Sequence, residues 1–391
     1  MRCCLLAWDY PPSPSGLSTA AREIAESLAE FGCDVTVVTL DRRGTRHEGG
    51  VRLVGAAMDD GSSLARLRQW GGVGHLAAPI AFRRKVAALH GERPFDIVEA
   101  TNWYAPAALL GRRGDAPLVS RISTPAAFSR ATAHGARDTL DAAAADRLER
   151  RQINRSSGLV SNSAEHARGM ESHYAVGAGV PHAVIGLSLP PEFLAMAADA
   201  PFHEGGPARI LFVGRAEERK GFAELMEAVE RLAGEAEDAS GPEFSVRLLG
   251  VSGADLPDAL SPAARARITA LGRQPQARLM EEYAHAHIVA APSRYESFGL
   301  VYQEALAFGR VILASATDSS ARDFVADGGV LAEETSADAI AAALRPLIAS
   351  AQLRLRHRER ALKAAGRFTR ASLARQTLAL YDAAIRRHQG R

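Results

Sequence analysis

The stretch ARILFVGRAEERKGFAELMEAVERLAG, residues 208–234, decides the fold. ARILFVG reads as a strand ending at Gly214, and GFAELMEAVERLAG reads as a helix. A strand that passes to a helix through a short link is a unit of a parallel sheet covered on both faces. The link itself carries charge. Arg215 follows the strand at once, and Lys220-Gly221 stand just before the helix. The carboxyl end of a strand and the N-terminus of a helix are both places where anions bind. Arg215 and Lys220 therefore suit one phosphate cluster, the first as a fork of donors and the second as a mobile point charge. Taken alone, the link fits two solvated charges beside Glu217 and Glu218 equally well.

The same pattern runs outward in both directions. FSVRLLG, HIVAAPS and RVILAS read as further strands of the second half. In the first half, CCLLAW, DVTVVTL, VRLVGA, FDIVEA, APLVSRI and GLVSNS read as strands, with a helix over TAAREIAESLAEFG and a charged helix over about 140–153. Between the halves, from VGAGVPHAVIGLSLPPEF to PFHEGGPA, glycine and proline are dense and periodicity is weak. A domain junction is expected there, with a first domain over 1–187 and a second over 188–371. Both are open α/β units of Rossmann-like character. Two such sheets facing across a cleft make a natural binding site, because ligands sit at the carboxyl ends of parallel strands.

The bulk numbers agree with an ordinary two-domain protein. The 391 residues are 47% hydrophobic and 24% charged, and the net charge of +2 implies no polyanionic partner such as nucleic acid. No apolar run reaches the roughly 18 residues of a membrane span. MRCCLLAW is too short for a secretory leader, and the three cysteines, two of them adjacent, do not form a disulfide framework. A reducing cytoplasm is the expected location, and Cys3, Cys4 and Cys33 are expected in the core.

Two more stretches bear on chemistry. The loop PPSPSGLS after the first strand places Gly16, whose backbone can approach a ligand closely, ahead of a helix expected from about Thr19. An ordinary βα turn reads the same way. Neither strand-to-helix turn holds G-x-G-x-x-G, which counts against a nicotinamide or flavin enzyme. In ESFGLVYQE, residues 296–304, two acids bracket an apolar run. With a helix starting near residues 298–300, Glu296 lies in the loop before it and Glu304 on its early turns. Four or five helical residues rise roughly 6–8 Å, so the two carboxylates suit the two ends of one elongated ligand bearing paired hydroxyls. Amide groups of Phe298, Gly299 and Leu300, at the helix start, suit phosphates.

Taken together, G-R-x-x-x-x-K-G at Gly214–Gly221 and P-S-x-x-E-S-F-G-L-x-x-x-E-A-x-A-x-G at Pro292–Gly309 resemble the retaining glycosyltransferases of family 4. The spaced glutamates match that family's E-x7-E signature, and the turn with Gly16 looks like its glycine loop. The resemblance covers most of the chain. It implies the GT-B fold, with the final helix, 372–391, packing back on the first domain. It implies an acceptor-binding first domain and a second domain that binds a nucleotide sugar. Glu304 would bind ribose hydroxyls and Glu296, with Ser297, the donor sugar. Arg215 and Lys220 would neutralise the departing diphosphate. Phe298, Gly299 and Leu300 would support phosphate and sugar through their amides, and Gly16 would line the phosphate from the other domain. Front-face attack is implied, with no carboxylate nucleophile. No cofactor is implied and no metal, and the sequence has neither D-x-D nor clustered His and Cys ligands.

The chain also departs from the family. RISTP places Ser123 where many relatives carry a histidine, and Ser15-Gly16 stands where two glycines are common. Ser123 suits either a sugar hydroxyl or the cap of a turn. Trp103 and Tyr104, after FDIVEA, suit either stacking on an acceptor sugar or core packing. The segment 64–93 sets Arg66, Arg68, Arg83, Arg84, Lys85 and Arg93 around Trp70 against one acid, Glu92. It fits peripheral contact with an anionic membrane face as well as a solvated helix. The expected activity is transfer of a sugar to a hydroxyl of a glycan, lipid-linked or small-molecule acceptor. The alternatives are a nucleotide-sugar epimerase of the same fold and a non-catalytic sugar-nucleotide-binding subunit. Intact Arg215, Lys220, Glu296 and Glu304 argue against the last. The donor base, UDP, GDP or ADP, is not legible.

Overall fold

RCCLLA at Arg2–Ala7 forms β1, with all six residues buried. Such an unbroken apolar run is what a strand covered on both faces requires. A computed structural model describes residues 1–13, 15–112, 114–129, 135–202, 205–238, 243–297, 299–325 and 328–390. The chain divides into two compact units, Met1–Ser188 with Thr369–Arg391, and Leu189–Phe368.

The sheet of the first unit comprises β1, β2 (Asp34–Thr39), β3 (Thr45–Glu48), β4 (Val51–Gly55), β5 (Ile97–Thr101), β6 (Leu118–Arg121), β7 (Gly158–Ser161) and β8 (His182–Val184). Their order is β3-β4-β2-β1-β5-β6-β7-β8. Every pairing is parallel except β3 with β4. The polar edge strand β3, TRHE, is exposed along its whole length. It has no apolar alternation, so nothing in its sequence marks it as a strand, and its charges suit an edge. The first helix begins at Gly16, three residues before the expected start. Ser15 is the reason: its Oγ accepts from the Ser18 amide at 2.9 Å and donates to Asp9 Oδ2 at 2.7 Å, which caps the extra turn.

The second unit holds β9 (Ala208–Val213), β10 (Phe244–Leu249), β11 (Ile268–Gly272), β12 (Ile288–Ala291), β13 (Val311–Ser315) and β14 (Gly329–Ala332), ordered β11-β10-β9-β12-β13-β14 and parallel throughout. Side chains alternate between its faces, as the pleat requires. Ile210, Phe212, Ile288, Ala290, Val311 and Leu313 enter the core under helices Phe222–Asp238 and Ala337–Ala349. Leu211, Val289 and Ile312 enter the opposite core with Tyr283, Tyr302 and Phe308.

The last helix, Arg370–Gln389, belongs to the first unit. Arg370 bonds Glu23 at 2.7 Å and also reaches Glu26 and Glu30 on the first helix. Tyr381 donates to Glu99 Oε2 at 2.8 Å, and Glu99 also takes Arg121 at 2.7 Å, all buried. Cys3 and Cys4 are buried, Cys33 is half-buried, and all three are free thiols. Burial pushes the Cys4 pKa up to about 12, so that thiol stays protonated and inert.

Candidate active site

In an open parallel sheet, two neighbouring strands whose onward connections run to opposite sides leave a crevice at their carboxyl ends. In the second unit these strands are β9 and β12, since β10 lies beyond the one and β13 beyond the other. The turn after β9 and the loop after β12 therefore meet. Lys220, at the end of a single 3₁₀ turn over Glu218–Lys220, donates to Glu296 Oε1. Ser293 donates to the same oxygen at 2.8 Å. Arg219 lies 3.5 Å from Glu296 Oε2 and donates to the Tyr295 carbonyl at 2.9 Å. The turn and the loop approach so closely that a Cβ on Gly221, whose φ is +64°, would stand 2.3 Å from the Pro292 carbonyl oxygen. Only glycine fits both that conformation and that contact.

Behind Glu296, its backbone amide donates to Asp318 Oδ1 at 3.0 Å, and Tyr302 donates to Asp318 Oδ2 at 2.8 Å. The helix that carries Glu304 runs Leu300–Ala307, led by Gly299 in the left-handed conformation at φ +57° and with no side chain capping its first turn. Glu304 stands on the second turn, where Tyr283 donates to its Oε2 at 2.7 Å. Ser297 is buried, Leu300 is half-buried, and Phe298 lies outside the described residues. Arg215 is not in this cluster. Its side chain is 76% exposed and pairs with Glu217 at 2.7 Å.

The equivalent crevice of the first unit opens beyond β1 and β5, the strands at which its order reverses. Trp8 follows β1, and Trp103 and Tyr104 follow β5. Trp8 Nε1 donates to the Trp103 carbonyl at 2.9 Å, and their rings meet edge-on at 6.2 Å. Tyr104 adopts a left-handed conformation, φ +51°, with its amide bonded to Glu149 Oε1 at 2.8 Å. Glu149 also accepts from the Ala126 amide at 3.1 Å and from Tyr174 at 2.8 Å, so one buried carboxylate ties two loops together. Ser123 is buried, with its hydroxyl 2.9 Å from that of Thr101 and its amide on Asn102 Oδ1 at 2.7 Å. Gly16 is the first residue of its helix.

Two family models account for the chain from 15 to 364. A glycosyl transferase 4-like domain matches residues 15–200, and glycosyl transferases group 1 matches residues 198–364. The chain belongs to the family 4 glycosyltransferases. A D-inositol 3-phosphate glycosyltransferase of Kineococcus radiotolerans is 28% identical, over 95% of this chain and 91% of that one. Sucrose-phosphate synthase from Thermosynechococcus elongatus superposes with a TM-score of 0.70 at 19% identity, covering 97% of this chain and 98% of that one. The Anabaena protein HepE, solved with UDP and glucose, superposes at 0.62 with 18% identity, covering 96% and 98%. Those solved structures share the GT-B fold.

The electrostatics of this family 4 glycosyltransferase divide its acids into two kinds. Burial alone would raise the Glu296 carboxyl, but Lys220, Arg219 and the Ser293 hydroxyl outweigh it and hold the pKa below its ordinary value. Among the described residues the Glu304 carboxylate has only Tyr283 as a direct hydrogen-bond partner, and burial pushes its pKa up to about 7. Burial, reinforced by the charge of Glu296, carries Asp318 to about 7 as well. Arg219, Ser293, Tyr302 and Asp318 were given no role by the sequence, although Ser293 stands within the quoted motif. Arg219 carries a local signal, since it sits beside Lys220, whereas Asp318 reaches the cluster only through the order of β12 and β13. In the basic segment, Arg83 donates to the Leu109 carbonyl and Arg93 to Asp34 at 2.8 Å, so these two cations have protein partners. No helix of the described residues is long and apolar enough to cross a membrane.

Proposed function

We propose that this glycosyltransferase moves a sugar from a nucleoside diphosphate sugar to a hydroxyl of a glycan, lipid-linked or small-molecule acceptor, with retention of anomeric configuration. The observation that carries the reading is the Lys220–Glu296 contact at the carboxyl edge of β9 and β12. A lysine held on a carboxylate beside an uncapped helix start is placed to turn to a diphosphate that arrives there. In this reading Glu296, kept ionised, accepts from hydroxyls of the donor sugar. Glu304 accepts from the ribose hydroxyls. Ser297 and the amides of Gly299 and Leu300 meet the phosphate and sugar. Lys220 and the exposed Arg215 neutralise the diphosphate as it leaves, and no divalent ion is assigned a role. Arg219 keeps the Tyr295–Glu296 backbone in place.

The acceptor oxygen bonds to the anomeric carbon on the face from which the diphosphate departs, and the hydroxyl proton passes to the leaving phosphate oxygen. No protein nucleophile takes part. Trp103 and Tyr104 flank the acceptor, and Ser123 shapes the loop beside it. HepE, solved with UDP and glucose, makes a uridine nucleotide the first donor to try.

Thermal shift with UDP, GDP, ADP and their sugars identifies the base, since a ligand of the native state raises the melting temperature. NMR of the first product then reads the new linkage. An α-donor giving an α-glycoside supports retention, and a β-glycoside overturns it. Conversion of the donor to its epimer with no glycoside formed would overturn transfer itself.

A further inference from the structure

The amino edge of the second sheet, at the opposite end of the strands from Lys220 and Glu296, carries a second cluster built mostly of arginine. Arg209 is the second residue of β9, and His287 and Arg310 stand just before β12 and β13. These strands are parallel neighbours, so their starts lie side by side. Strands of four to six residues rise about 13–20 Å, which makes the two edges separate places. Helix Ala351–Ala365 adds Arg354 and Arg358, four residues apart on one side of the helix.

Phe202 is the hub of the cluster. The guanidinium carbon of Arg310 lies 5.2 Å from its ring centre, and that of Arg358 lies 4.9 Å away. His287 meets the same ring at 5.6 Å, and Arg209 reaches the Nε2 of His287 at 3.0 Å. Arg358 runs against the start of β13: a Cβ on Gly309 would stand 2.8 Å from its Nη1.

No carboxylate answers these charges. Among the described residues, Arg209, Arg310, Arg354 and Arg358 bond to carbonyls and to His287, and none has an acidic partner. Arg310 is fully buried, and its Nη2 donates to the carbonyls of Pro201 at 2.8 Å and Ala284 at 3.0 Å. Its Nε and Nη1 are buried without a partner. Burial, reinforced by the charges of Arg358 and Arg209, pulls its pKa down to about 9. A clamp on two carbonyls accounts for Arg310 by itself. It does not account for three more cations around it, because like charges at close range repel and buried charges are ordinarily paired. The group missing from such a cluster is an anion.

The accessible face belongs to Arg209 and Arg358. Both are half-buried and keep N–H donors beyond those they spend on the protein. Arg310 lies deeper, and its charge, set in a medium of low dielectric, adds to the field at that face. Guanidinium forks match the oxygens of a phosphoryl group, and the Phe202 ring holds two of them in place beforehand.

We propose that the amino edge of the second sheet is an oxyanion site whose ligand is a phosphoryl dianion, held by Arg209 and Arg358 with Arg310 behind them. The site is distinct from the Lys220–Glu296 cluster and does not depend on the transferase reading. The phosphoryl group is that of inorganic phosphate or of a small phosphate monoester.

An anion that binds the native state raises the melting temperature. Differential scanning calorimetry of the full chain, with low-millimolar inorganic phosphate or glycerol 3-phosphate against chloride of equal ionic strength, measures it. A saturable rise of about 2–4 °C is expected in the transition of the second unit. Saturation separates a site from the general exclusion of salt, whose effect keeps growing with concentration. The ligand that saturates at the lower concentration tells whether the free ion or an ester is preferred. R209A/R358A is expected to abolish the rise. R358Q, which keeps a polar side chain of similar reach, is expected to weaken phosphate binding about tenfold, and it decides the matter if the double variant does not fold. R215A/K220A is expected to keep the rise, because those two residues lie at the other edge. No saturable rise in the wild type, a full rise in R209A/R358A or wild-type affinity in R358Q would each overturn the proposal. A rise lost in R215A/K220A would also overturn it, by placing the phosphate beside Glu296.

Discussion

Lys220 and Glu304 carry the sharpest consequences at the scale of single residues. In K220A the diphosphate loses its point charge, and turnover is expected to fall by about 10²–10³-fold, the order found for one donor to developing negative charge. Acceptor KM should stay within a few-fold of wild type, because Lys220 belongs to the second unit and the proposed acceptor residues to the first. Steady-state kinetics with saturating donor separate the two, and an unchanged turnover would remove Lys220 from the mechanism. Glu304 is testable without any substrate. Its carboxyl sits near 7 in the fold against an ordinary 4.5. The folded state therefore holds the proton more tightly than the unfolded chain, and stability falls as pH rises through that window, by at most about 1.4 kcal/mol per pH unit. Glu149 and Asp318 shift in the same direction and add their own shares. In E304Q the slope from urea denaturation across about pH 4.5–7 should be shallower than in wild type. An identical slope would show that Glu304 titrates normally.

At the scale of elements, the turn after β9 and the loop after β12 act as one piece because Gly221 lets them touch. In G221A a methyl group would press on the Pro292 carbonyl and on Thr335, and the left-handed backbone adds about 1–2 kcal/mol of its own. The variant is expected to lose roughly 2–4 kcal/mol of stability and to displace Glu296 from Lys220. Chemical denaturation measures the first effect. Weaker nucleotide-sugar binding at a temperature where the variant is still folded measures the second, and wild-type values for both would mean that the loop yields freely. Local pattern made the strands β9, β12 and β13 and the helix after β9 legible, since each is a run of apolar residues or a clear helical period. It did not make β3 legible, because TRHE earns its strand geometry from β4 alone. Nor did it reveal that Ser15 starts the first helix early, which depends on Asp9 holding the serine hydroxyl.

Across the whole molecule, the chain enters the second unit after Ser188 and re-enters the first at Thr369. Arg370 stands at that return and meets Glu23, Glu26 and Glu30 together. Glu23 is fully buried and also accepts from Ser188 at 2.7 Å. R370A would leave the buried Glu23 carboxylate with only the more distant Arg22, 3.7 Å away, as its cation among the described residues, at an expected cost approaching the roughly 3–5 kcal/mol of a broken buried pair. Differential scanning calorimetry should show the loss in the transition of the first unit, and a shift confined to the second unit would contradict it. A paired replacement, R370M with E23Q, should recover part of the loss, because the fully buried carboxylate is then removed together with its nearest cation.

Sequence alone determined the parallel α/β character of both halves and the family, because local period, glycine placement and short motifs are properties of contiguous residues. It also named Lys220, Glu296 and Glu304 as candidates. Tertiary structure decided which groups meet. Lys220 and Glu296 are 76 positions apart and touch because β9 and β12 are neighbours in the sheet. Asp318 and Tyr302 support Glu296 from behind for the same kind of reason, and three scattered tryptophans converge on one cavity. Strand order is set by the packing of the whole sheet, and no stretch of the chain carries that information by itself.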